Sequence, residues 1–409
     1  MYKVVAASGE SVTWRDPKRY YWLFSGLIPM LGLTSWALWA WTHWTPVWYW
    51  GAFLFFVLIP ILDLVMGTDP SNPPDEVLDA LEKDRYYRWV TYLFIPLQIL
   101  LFLWAAYLLG GGTLPGIDDP LTWTQKLGLA ISVGLLAGVG INTAHELGHK
   151  KEKVERWYAR VALAQTAYGH FYIEHNRGHH VRVATPPDPA SSRLGETIFE
   201  FLPRTVIGSF RSAWNLERTR LNRRGQSHWS LRNDLFNAWV FTPILWGAAI
   251  VMNALLGLQT WQILPFLVVQ AIIGIGLLET VNYLEHYGMR RQLLDSGRYE
   301  RINASHSWNS NNVATNILLY HLQRHSDHHA NPTRRYQALR DFKEAPVLPT
   351  GYAGMIVLAW LTPLWRRVMD PKVVAHYDGD LNRANVHPRT AERYFVRYSE
   401  KSQSTNNQA

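Results

Sequence analysis

Histidines spaced like metal ligands stand out in this chain. His325, His328 and His329 follow one another at i, i+3 and i+4, so a helical turn would place their imidazoles on one face. His145 and His149 show the i, i+4 spacing again, within His-Glu-Leu-Gly-His. Because metal ions in proteins are often held by histidines at these spacings, the pattern predicts a metal site.

Four histidine clusters together hold nine of the sixteen histidines. A tetrahedral zinc site uses four ligands, so nine imidazoles indicate two metal ions in a nitrogen-rich site. The predicted ligands are His145, His149, His175, His179, His180, His286, His325, His328 and His329.

Carboxylates stand beside several of these histidines in the sequence. Such carboxylates are the usual acceptors that fix the tautomer of an imidazole ligand. The candidates for this supporting role are Glu146, Glu174, Glu285 and Asp327. Three further histidines lie close to the clusters (His170, His306 and His321), whereas His43, His228, His376 and His387 are scattered and are interpreted as ordinary residues.

The composition predicts an integral membrane protein without cysteine chemistry. The 409 residues include 20 Trp and several long apolar runs, which favour membrane spans over soluble domains. With no Cys, the chain holds no disulfide, thiolate site or iron–sulfur cluster, so a carrier built on cysteines must be a separate protein. The net charge of +8 is explained by membrane topology, and we expect no nucleic-acid partner.

The apolar runs predict an all-α integral membrane protein with six transmembrane helices and a cytoplasmic, His-rich di-metal cap. The spans are expected at about residues 20–41, 47–66, 89–109, 127–149, 236–256 and 261–284. The three short connections on one side contain one Lys and no Arg, which places both termini and all nine clustered histidines in the cytoplasm.

The spans divide the chain into five segments. These are an N-terminal part with the first four spans (1–149), a His-rich segment (150–234), the last two spans (235–286), a second His-rich segment (287–401) and a disordered tail (402–409). Residues 197–224 alternate aromatic and Arg side chains, which predicts an amphipathic helix on the bilayer surface. Residues 353–364 are too short to span and predict an interfacial or re-entrant piece.

Several kinds of metal chemistry are compatible with these residues. His-Glu-Leu-Gly-His also matches a zinc protease motif, for which Asp63 in the second span offers a third ligand, but that reading leaves seven clustered histidines unexplained. A passive metal store or sensor explains the histidines but not their place beneath an apolar bundle. Imidazole suits iron, zinc, copper and nickel, and zinc has no redox chemistry, so a redox-active metal is favoured. Its expected chemistry is oxygen activation followed by hydroxylation or desaturation of a greasy substrate.

At these motifs the sequence closely resembles the bacterial membrane alkane 1-monooxygenases, from about residue 20 to residue 381. The strings that carry the resemblance are His145-Glu-Leu-Gly-His149, Glu174-His-Asn-Arg-Gly-His-His180, Ala184-Thr-Pro-Pro-Asp-Pro-Ala190, Asn282-Tyr-Leu-Glu-His-Tyr-Gly288 and Leu322-Gln-Arg-His-Ser-Asp-His-His-Ala-Asn-Pro-Thr-Arg334. Xylene monooxygenases and membrane fatty acid desaturases share three of the histidine motifs and are the alternative families.

The resemblance implies terminal hydroxylation of medium-chain linear alkanes to 1-alkanols with O2, at a non-haem site of two iron ions in the bacterial inner membrane. It also implies electrons from rubredoxin and its NADH-dependent reductase, and an alkane that arrives from the membrane lipid. The family's ligands fall on the nine histidines, and Glu285 is the carboxylate expected at the irons. Glu279 departs from the family pattern, in which the position is usually neutral, and shares a helix face with His286.

Aromatic side chains on the first two spans are expected to limit the length of the substrate. Phe55 lies near the middle of the second span, where a ring could block the far end of an alkyl chain that hangs from the metals. The next candidates are Phe53, Phe56 and Trp22.

Overall fold

Helices that can cross a membrane dominate the structure, a computed structural model that describes the backbone of residues 1–406 and the side chains of residues 1–398. Six helices in this part of the chain are long and apolar enough to span a bilayer, which confirms the predicted fold class. They are Trp22–Thr42, Thr45–Met66, Arg85–Leu109, Trp123–Gly148, Asp234–Leu255 and Thr260–His286, called the first to sixth spans.

Four of these spans change their helical geometry on the way. The first span has a 3₁₀ segment at Ile28–Leu33, between the α-helices Trp22–Leu27 and Thr34–Thr42. The second span comprises the 3₁₀ turn Thr45–Tyr49, the helix Trp50–Phe53, the π-helical turn Leu54–Leu58 and the helix Ile59–Met66. Pro60 lacks the N–H that an α-helix needs one turn after Phe56, which accounts for the local change.

The fifth span joins Asp234–Trp239 to Phe241–Leu255, and the sixth joins the 3₁₀ turn Thr260–Ile263 to the helix Leu264–His286. The third and fourth spans, by contrast, are continuous α-helices. Buried interior positions make up 89% of the most apolar window of the fourth span, so the other spans are arranged around it.

Glycines bring the fourth and sixth spans into close contact. A Cβ atom on Gly134 would lie 3.0 Å from the carbonyl oxygen of Gln270, and one on Gly138 would lie 3.1 Å from that of Gly274. Any larger residue would therefore push the two helices apart. The close approach fixes the relative position of two helices that both end in histidines, since His145 is in the last turn of one and His286 ends the other.

A cap of shorter helices covers the end of the bundle where the second, fourth and sixth spans finish. Its helical pieces are Asp75–Val77, Leu78–Lys83, Lys153–Ala164, Phe171–Glu174, His175–His179, His180–Arg182, Ile198–Asn222, Ala304–His306, Val313–Leu318, His325–Ala330, Tyr336–Ala338, Tyr352–Trp360, Thr362–His376, Leu381–Arg383 and Ala391–Asn406. The last of them continues into the predicted disordered tail as far as Asn406, since no Gly or Pro interrupts it before that point, and residues 407–409 lie outside the described part.

The helix Ile198–Asn222 matches the amphipathic helix predicted for 197–224. Thr197 and Glu200 form a capping box at its start, which satisfies backbone N–H groups that would otherwise lack partners. One face is buried and includes Phe201 and Ala213, while Phe199 and Ile207 are exposed.

Two elements of the cap were not predicted in their observed form. The N-terminal residues form an antiparallel hairpin of β1 (Tyr2–Val5) and β2 (Ser11–Trp14), in which Tyr2 pairs with Trp14. The helix Tyr352–Trp360 packs against the second and sixth spans, so this apolar piece is an inner wall of the protein rather than only a surface-bound segment.

Candidate metal centre

The nine predicted histidines converge in two groups at the capped end of the bundle. The first group contains five imidazoles whose ligand atoms all lie within 4.8 Å of one another, and the second contains four that meet the same limit. The first group is His145, His149, His175, His180 and His328, and the second is His179, His286, His325 and His329. The rings of His180 and His329 are only 4.4 Å apart between centroids, so the groups adjoin.

The distances within the groups suit nitrogens that share an ion. Nε2 of His328 lies 2.9 Å from Nε2 of His145 and 3.1 Å from Nε2 of His180. In the second group, Nε2 of His325 lies 2.9 Å from Nε2 of His329. Two nitrogens bound at right angles to one ion at about 2.1 Å are about 3.0 Å apart, which agrees with these separations.

A π-helical turn divides one histidine motif between the two groups. In His175–His179 the backbone N–H of His180 donates to the carbonyl oxygen of His175, five residues earlier. This places His180 above His175, and both belong to the first group, whereas His179 turns into the second. Single π turns are often found at functional sites because they re-aim side chains in this way.

The short helix His325–Ala330 divides the last motif in a similar way. His325 and His329, at i and i+4, join the second group, whereas His328 joins the first. The sequence predicted one shared face for these three imidazoles. The observed face lies at the boundary between the groups, so adjacent residues on it serve different groups.

The chemistry of the rings fits a bound metal ion. Burial, reinforced by neighbouring imidazoles, holds the pKa of His149, His175 and His328 well below the usual range, so these rings are neutral and keep a free lone pair. Nε2 of His149 and Nε2 of His179 are buried and have no hydrogen-bond partner. Since buried polar atoms are rarely left unpaired, the two nitrogens indicate that something else binds there.

Two carboxylates stand behind the second group. Nδ1 of His179 lies 2.9 Å from Oδ2 of Asp188, which also accepts a hydrogen bond from Ser191. Nδ1 of His325 lies 3.2 Å from Oε1 of Glu285, so Glu285 is close to the ligand set as predicted. Burial alone would raise the pKa of Asp188, but His179 and these hydrogen bonds hold that pKa below its usual range.

A narrow apolar cavity leads from the histidines into the bundle and contains about 660 Å³ of space that no protein atom fills. Near the histidines it is lined by Asn142 and Leu322, each three residues before a ligand, and farther away by Leu136 and Phe55. Leu136 precedes His145 by nine residues, so the far end of the cavity lies about 14 Å from the level of His145 along the fourth span. An extended alkyl chain of about ten carbons has a similar length.

Comparison with known proteins places this site in a family. The fatty acid desaturase family matches residues 121–359. The alkane 1-monooxygenase of Ectopseudomonas oleovorans is 44% identical over 397 residues, covering 95% of this chain and 93% of that protein. That of Pseudomonas putida is 43% identical over 394 residues, covering 94% and 92%. The chain belongs to the alkane 1-monooxygenase family.

One of the alternative families is less similar in sequence. The hydroxylase component of a xylene/toluene monooxygenase from Pseudomonas putida is more distant, at 28% identity over 321 residues, 78% of this chain and 80% of that protein. As a member of the alkane 1-monooxygenase family the chain is a monooxygenase, an oxidoreductase, which confirms the predicted enzyme class. Such an enzyme needs an electron-transfer partner and a hydrophobic substrate.

Three of the predicted supporting carboxylates, and also Glu279, have other partners in this member of the family. Glu146 pairs with Lys150, Glu174 with Arg182, and Asp327 with Arg334. Successive side chains of a helix point about 100° apart, so none of these three carboxylates points the same way as the ligand beside it in sequence. Glu279 instead accepts hydrogen bonds from Tyr168, Thr205 and Asn282. It ties the sixth span to the cap and contacts none of the nine imidazoles.

Asp188 is the functional residue that sequence reasoning missed. It lies in the turn Pro187-Asp-Pro189, eight residues after His180, where no helical spacing connects it with a ligand. Its only sequence signal is its place in Ala184-Thr-Pro-Pro-Asp-Pro-Ala190, one of the strings that resemble the family.

Of the four residues predicted to limit substrate length, only Phe55 lines the cavity. Phe53 and Phe56 are 45% and 39% exposed on the outer face of the second span, because neighbours of Phe55 on a helix point elsewhere. Trp22 is fully buried beside Tyr336 and His321, and donates its indole N–H to Asp16. None of these three residues lines the cavity, and a role for them in substrate length stays a prediction.

Asp63 is not available as a zinc ligand. One carboxylate oxygen accepts the backbone N–H of Thr315 at 2.8 Å, and the other accepts the hydroxyl of the same residue. His145 and His149, for which a protease would need this third ligand, have three other imidazoles around them instead. His321 is likewise outside the groups, with Nδ1 bonded to the carbonyl oxygen of Tyr336.

Proposed function

We propose that the protein hydroxylates the terminal carbon of medium-chain linear alkanes with O2, at two non-haem iron ions, to give 1-alkanols. The nine histidines are the proposed ligands, five for one ion and four for the other. The observation that carries the proposal is the convergence of nine largely buried imidazoles close to an apolar cavity, whose lining residues Asn142 and Leu322 each precede a proposed ligand by three residues. The names and high identity of the relatives support the same substrate class.

Iron fits the ligand set better than zinc. Imidazole binds both metals, but zinc has no redox chemistry and a monooxygenase reaction requires it. Bound iron would supply the reduction of O2, with one oxygen atom inserted into a C–H bond and the other released as water. Because the imidazoles are neutral, they would not offset the positive charge of the iron ions.

The chain's own residues hold and orient the reaction partners. The hydrogen bond from Nδ1 of His179 to Asp188 fixes the position of that ring, which leaves its Nε2 free to bind a metal. Glu285 lies 3.2 Å from Nδ1 of His325. The cavity aligns the alkyl chain so that one end lies at the histidines, and its apolar lining excludes water. Because Phe55 is level with Leu136 at the far end, a ring there limits the length of the chain.

The register of the second and fourth spans supports this position for Phe55. The backbone N–H of Gly51 donates to the hydroxyl of Ser132 at 3.0 Å, and alternate spans run in the same direction. Four residues farther along each helix are Phe55 and Leu136, about 14 Å from the level of His145.

The cellular setting is also part of the proposal. The excess of Lys and Arg on the side of the histidines supports an inner-membrane protein with both termini and the metal centre in the cytoplasm. Rubredoxin, reduced by its NADH-dependent reductase, is the proposed electron donor because the chain has no cysteine for a cluster of its own.

The test is metal analysis of the purified protein together with identification of the products from octane, dodecane and hexadecane. We expect about two iron atoms per chain, little zinc, and 1-alkanols as products in the presence of rubredoxin, its reductase and NADH. Alkenes would indicate a desaturase, and benzylic alcohols formed from xylene at higher rates would indicate the more distant relatives. One zinc atom and no dependence on His328 would contradict the proposal and favour a protease.

A further inference from the structure

A second cavity, which we call the arginine groove, lies on the outside of the cap. It contains about 1290 Å³ of open space between one face of the helix Ile198–Asn222 and the turn that contains Pro187 and Pro189. Its lining residues are Arg182, Pro187, Pro189, Gly208, Arg211, Ser212, Asn215, Leu216, Thr219, Arg220, Arg223 and Arg224. Five of them are cationic and none is acidic.

The positive charge of the arginine groove is only partly neutralised. Arg182 pairs with Glu174, and Arg220 pairs with Glu217. Arg211, Arg223 and Arg224 are exposed, and their side chains form no ion pair with any carboxylate among the described residues. An anionic surface that enters the groove would therefore find three guanidinium groups free to bind.

The floor of the arginine groove is directly connected to both histidine groups. Arg182 donates to Oε1 of Glu174 at 2.6 Å, and Glu174 precedes His175 of the first group. Asp188, which lies between the two groove prolines, is bonded to His179 of the second group. A redox centre held in the groove would thus face the segment of the cap that carries His175, His179 and His180.

A monooxygenase must receive two electrons from outside if it has no carrier of its own. O2, R–H, two electrons and two protons give R–OH and water, and each electron leaves a carrier that is oxidised by one step. We propose that the arginine groove is the docking surface for a small acidic electron-carrier protein, an inference that rests on the proposed function. Attraction between acidic and basic patches speeds such encounters and orients them.

The bilayer is the competing occupant, and the structure favours the carrier. The exposed apolar residues of the same helix, Phe199 and Ile207, point away from the arginine groove. An interfacial helix buries its apolar face in lipid, so that face would meet the membrane. The groove side, with Asn215 and Thr219, would then stay accessible to a soluble protein.

The experiment compares charge reversal inside and outside the groove. The double variant Arg211→Glu/Arg223→Glu removes groove charge, and Arg218→Glu is the matched control, because Arg218 is an exposed, unpaired arginine of the same helix that does not line the groove. Each full-length protein is placed in phosphatidylcholine nanodiscs, and octane turnover is measured against rubredoxin concentration. Iron content and a single turnover of chemically reduced enzyme are measured without rubredoxin.

We expect the double variant to need at least tenfold more rubredoxin for half-maximal turnover, with unchanged iron and unchanged single turnover, while Arg218→Glu changes the requirement less than twofold. A rubredoxin with acidic residues replaced by Lys should recover part of the loss. Equal effects of the two variants, or no effect, would overturn the proposal. A defect seen only when phosphatidylglycerol is added to the nanodiscs would assign the groove to lipid headgroups. If the unmodified, chemically reduced enzyme forms no product in a single turnover, that result would contradict the proposed function instead.

Discussion

The two histidine groups differ in what supports them. The second group has four imidazoles, and two of them are contacted at Nδ1 by buried carboxylates, Asp188 and Glu285. The first group has five imidazoles, and no carboxylate of the described side chains lies within ion-pair distance of any of them. One group is therefore supported by negative charge and the other by ligand number.

This difference predicts two unequal metal positions. A carboxylate behind an imidazole makes the ring a stronger donor and fixes its orientation, and the charge of Asp188 also offsets part of the charge of a cation. We therefore expect the four-histidine group to hold its ion more tightly than the five-histidine group does.

Removal of a ligand should have the largest effect. His328 and His329 are adjacent on one helix but belong to different groups, so His328→Ala and His329→Ala form a matched pair. Each variant should lose hydroxylation to below detection, because each opens a coordination position. Metal analysis should find about one iron per chain in both proteins. The missing iron comes from the first group in His328→Ala and from the second group in His329→Ala.

His387→Ala is the control for this pair, since His387 is also buried but lies outside both groups. It should retain two irons and near-normal activity. Full iron content and activity in His328→Ala would show that the first group is not a metal site. The protein would then not have two unequal metal positions.

Loss of a supporting carboxylate should have the next largest effect. Asp188→Asn removes the negative charge behind His179 and should lower iron affinity or turnover by about 10- to 100-fold. Glu146→Gln is the reference, because Glu146 follows His145 in sequence but pairs with Lys150 instead. Iron titrations of both proteins give the measurement, and an equal loss in the two variants would contradict a special role for Asp188.

Chelation should reveal the inequality of the groups without any substitution. A mild chelator should remove one of the two irons at least several-fold faster than the other, with the faster loss from the five-histidine group, which has no carboxylate support. Time-resolved iron analysis of the unmodified enzyme measures both phases, and Asp188→Asn should bring the two rates closer. A single phase in the unmodified protein would show that the groups hold their ions equally.

The sequence predicted these groups well where the signal was local. Six spans and nine converging histidines followed from apolar length and from i, i+3 and i+4 spacing, both of which are properties of one helix. The partition into groups did not follow, because it depends on a π turn at His175–His179 and on packing between distant segments. No spacing rule brings Leu322 and Asn142 to one cavity.

The supporting residues were predicted less well for the same reason. Glu174 and Asp327 each stand beside a histidine in sequence but on another face of the helix, and both pair with arginines. Glu285, by contrast, lies 3.2 Å from His325. Asp188 reaches His179 across a turn that no periodicity describes. The inner position of the helix Tyr352–Trp360 was not predicted, because the short apolar piece indicated an interfacial or re-entrant segment, although Ala353 and Ile356 line the cavity.

The smallest effect on the metal centre is expected at the far end of the cavity. Phe55 is about 14 Å from both groups along the spans, so Phe55→Ala should leave both irons in place and change octane turnover by less than about twofold. The variant removes a ring from the cavity floor, and a pocket contact of that size changes discrimination by about 1–3 kcal/mol. The ratio of hexadecane to octane products should therefore rise by about tenfold.

Phe56→Ala is the matched control, because its ring is on the exposed side of the same helical turn. It should leave the product ratio unchanged, which separates loss of an aromatic ring in general from loss of the cavity floor. Gas chromatography of the alcohols formed from an equimolar mixture of the two alkanes measures the ratio. If Phe55→Ala also lowers iron content, packing at the far end of the cavity affects iron binding by the histidine groups. That result would contradict the expectation that Phe55 acts only on substrate length.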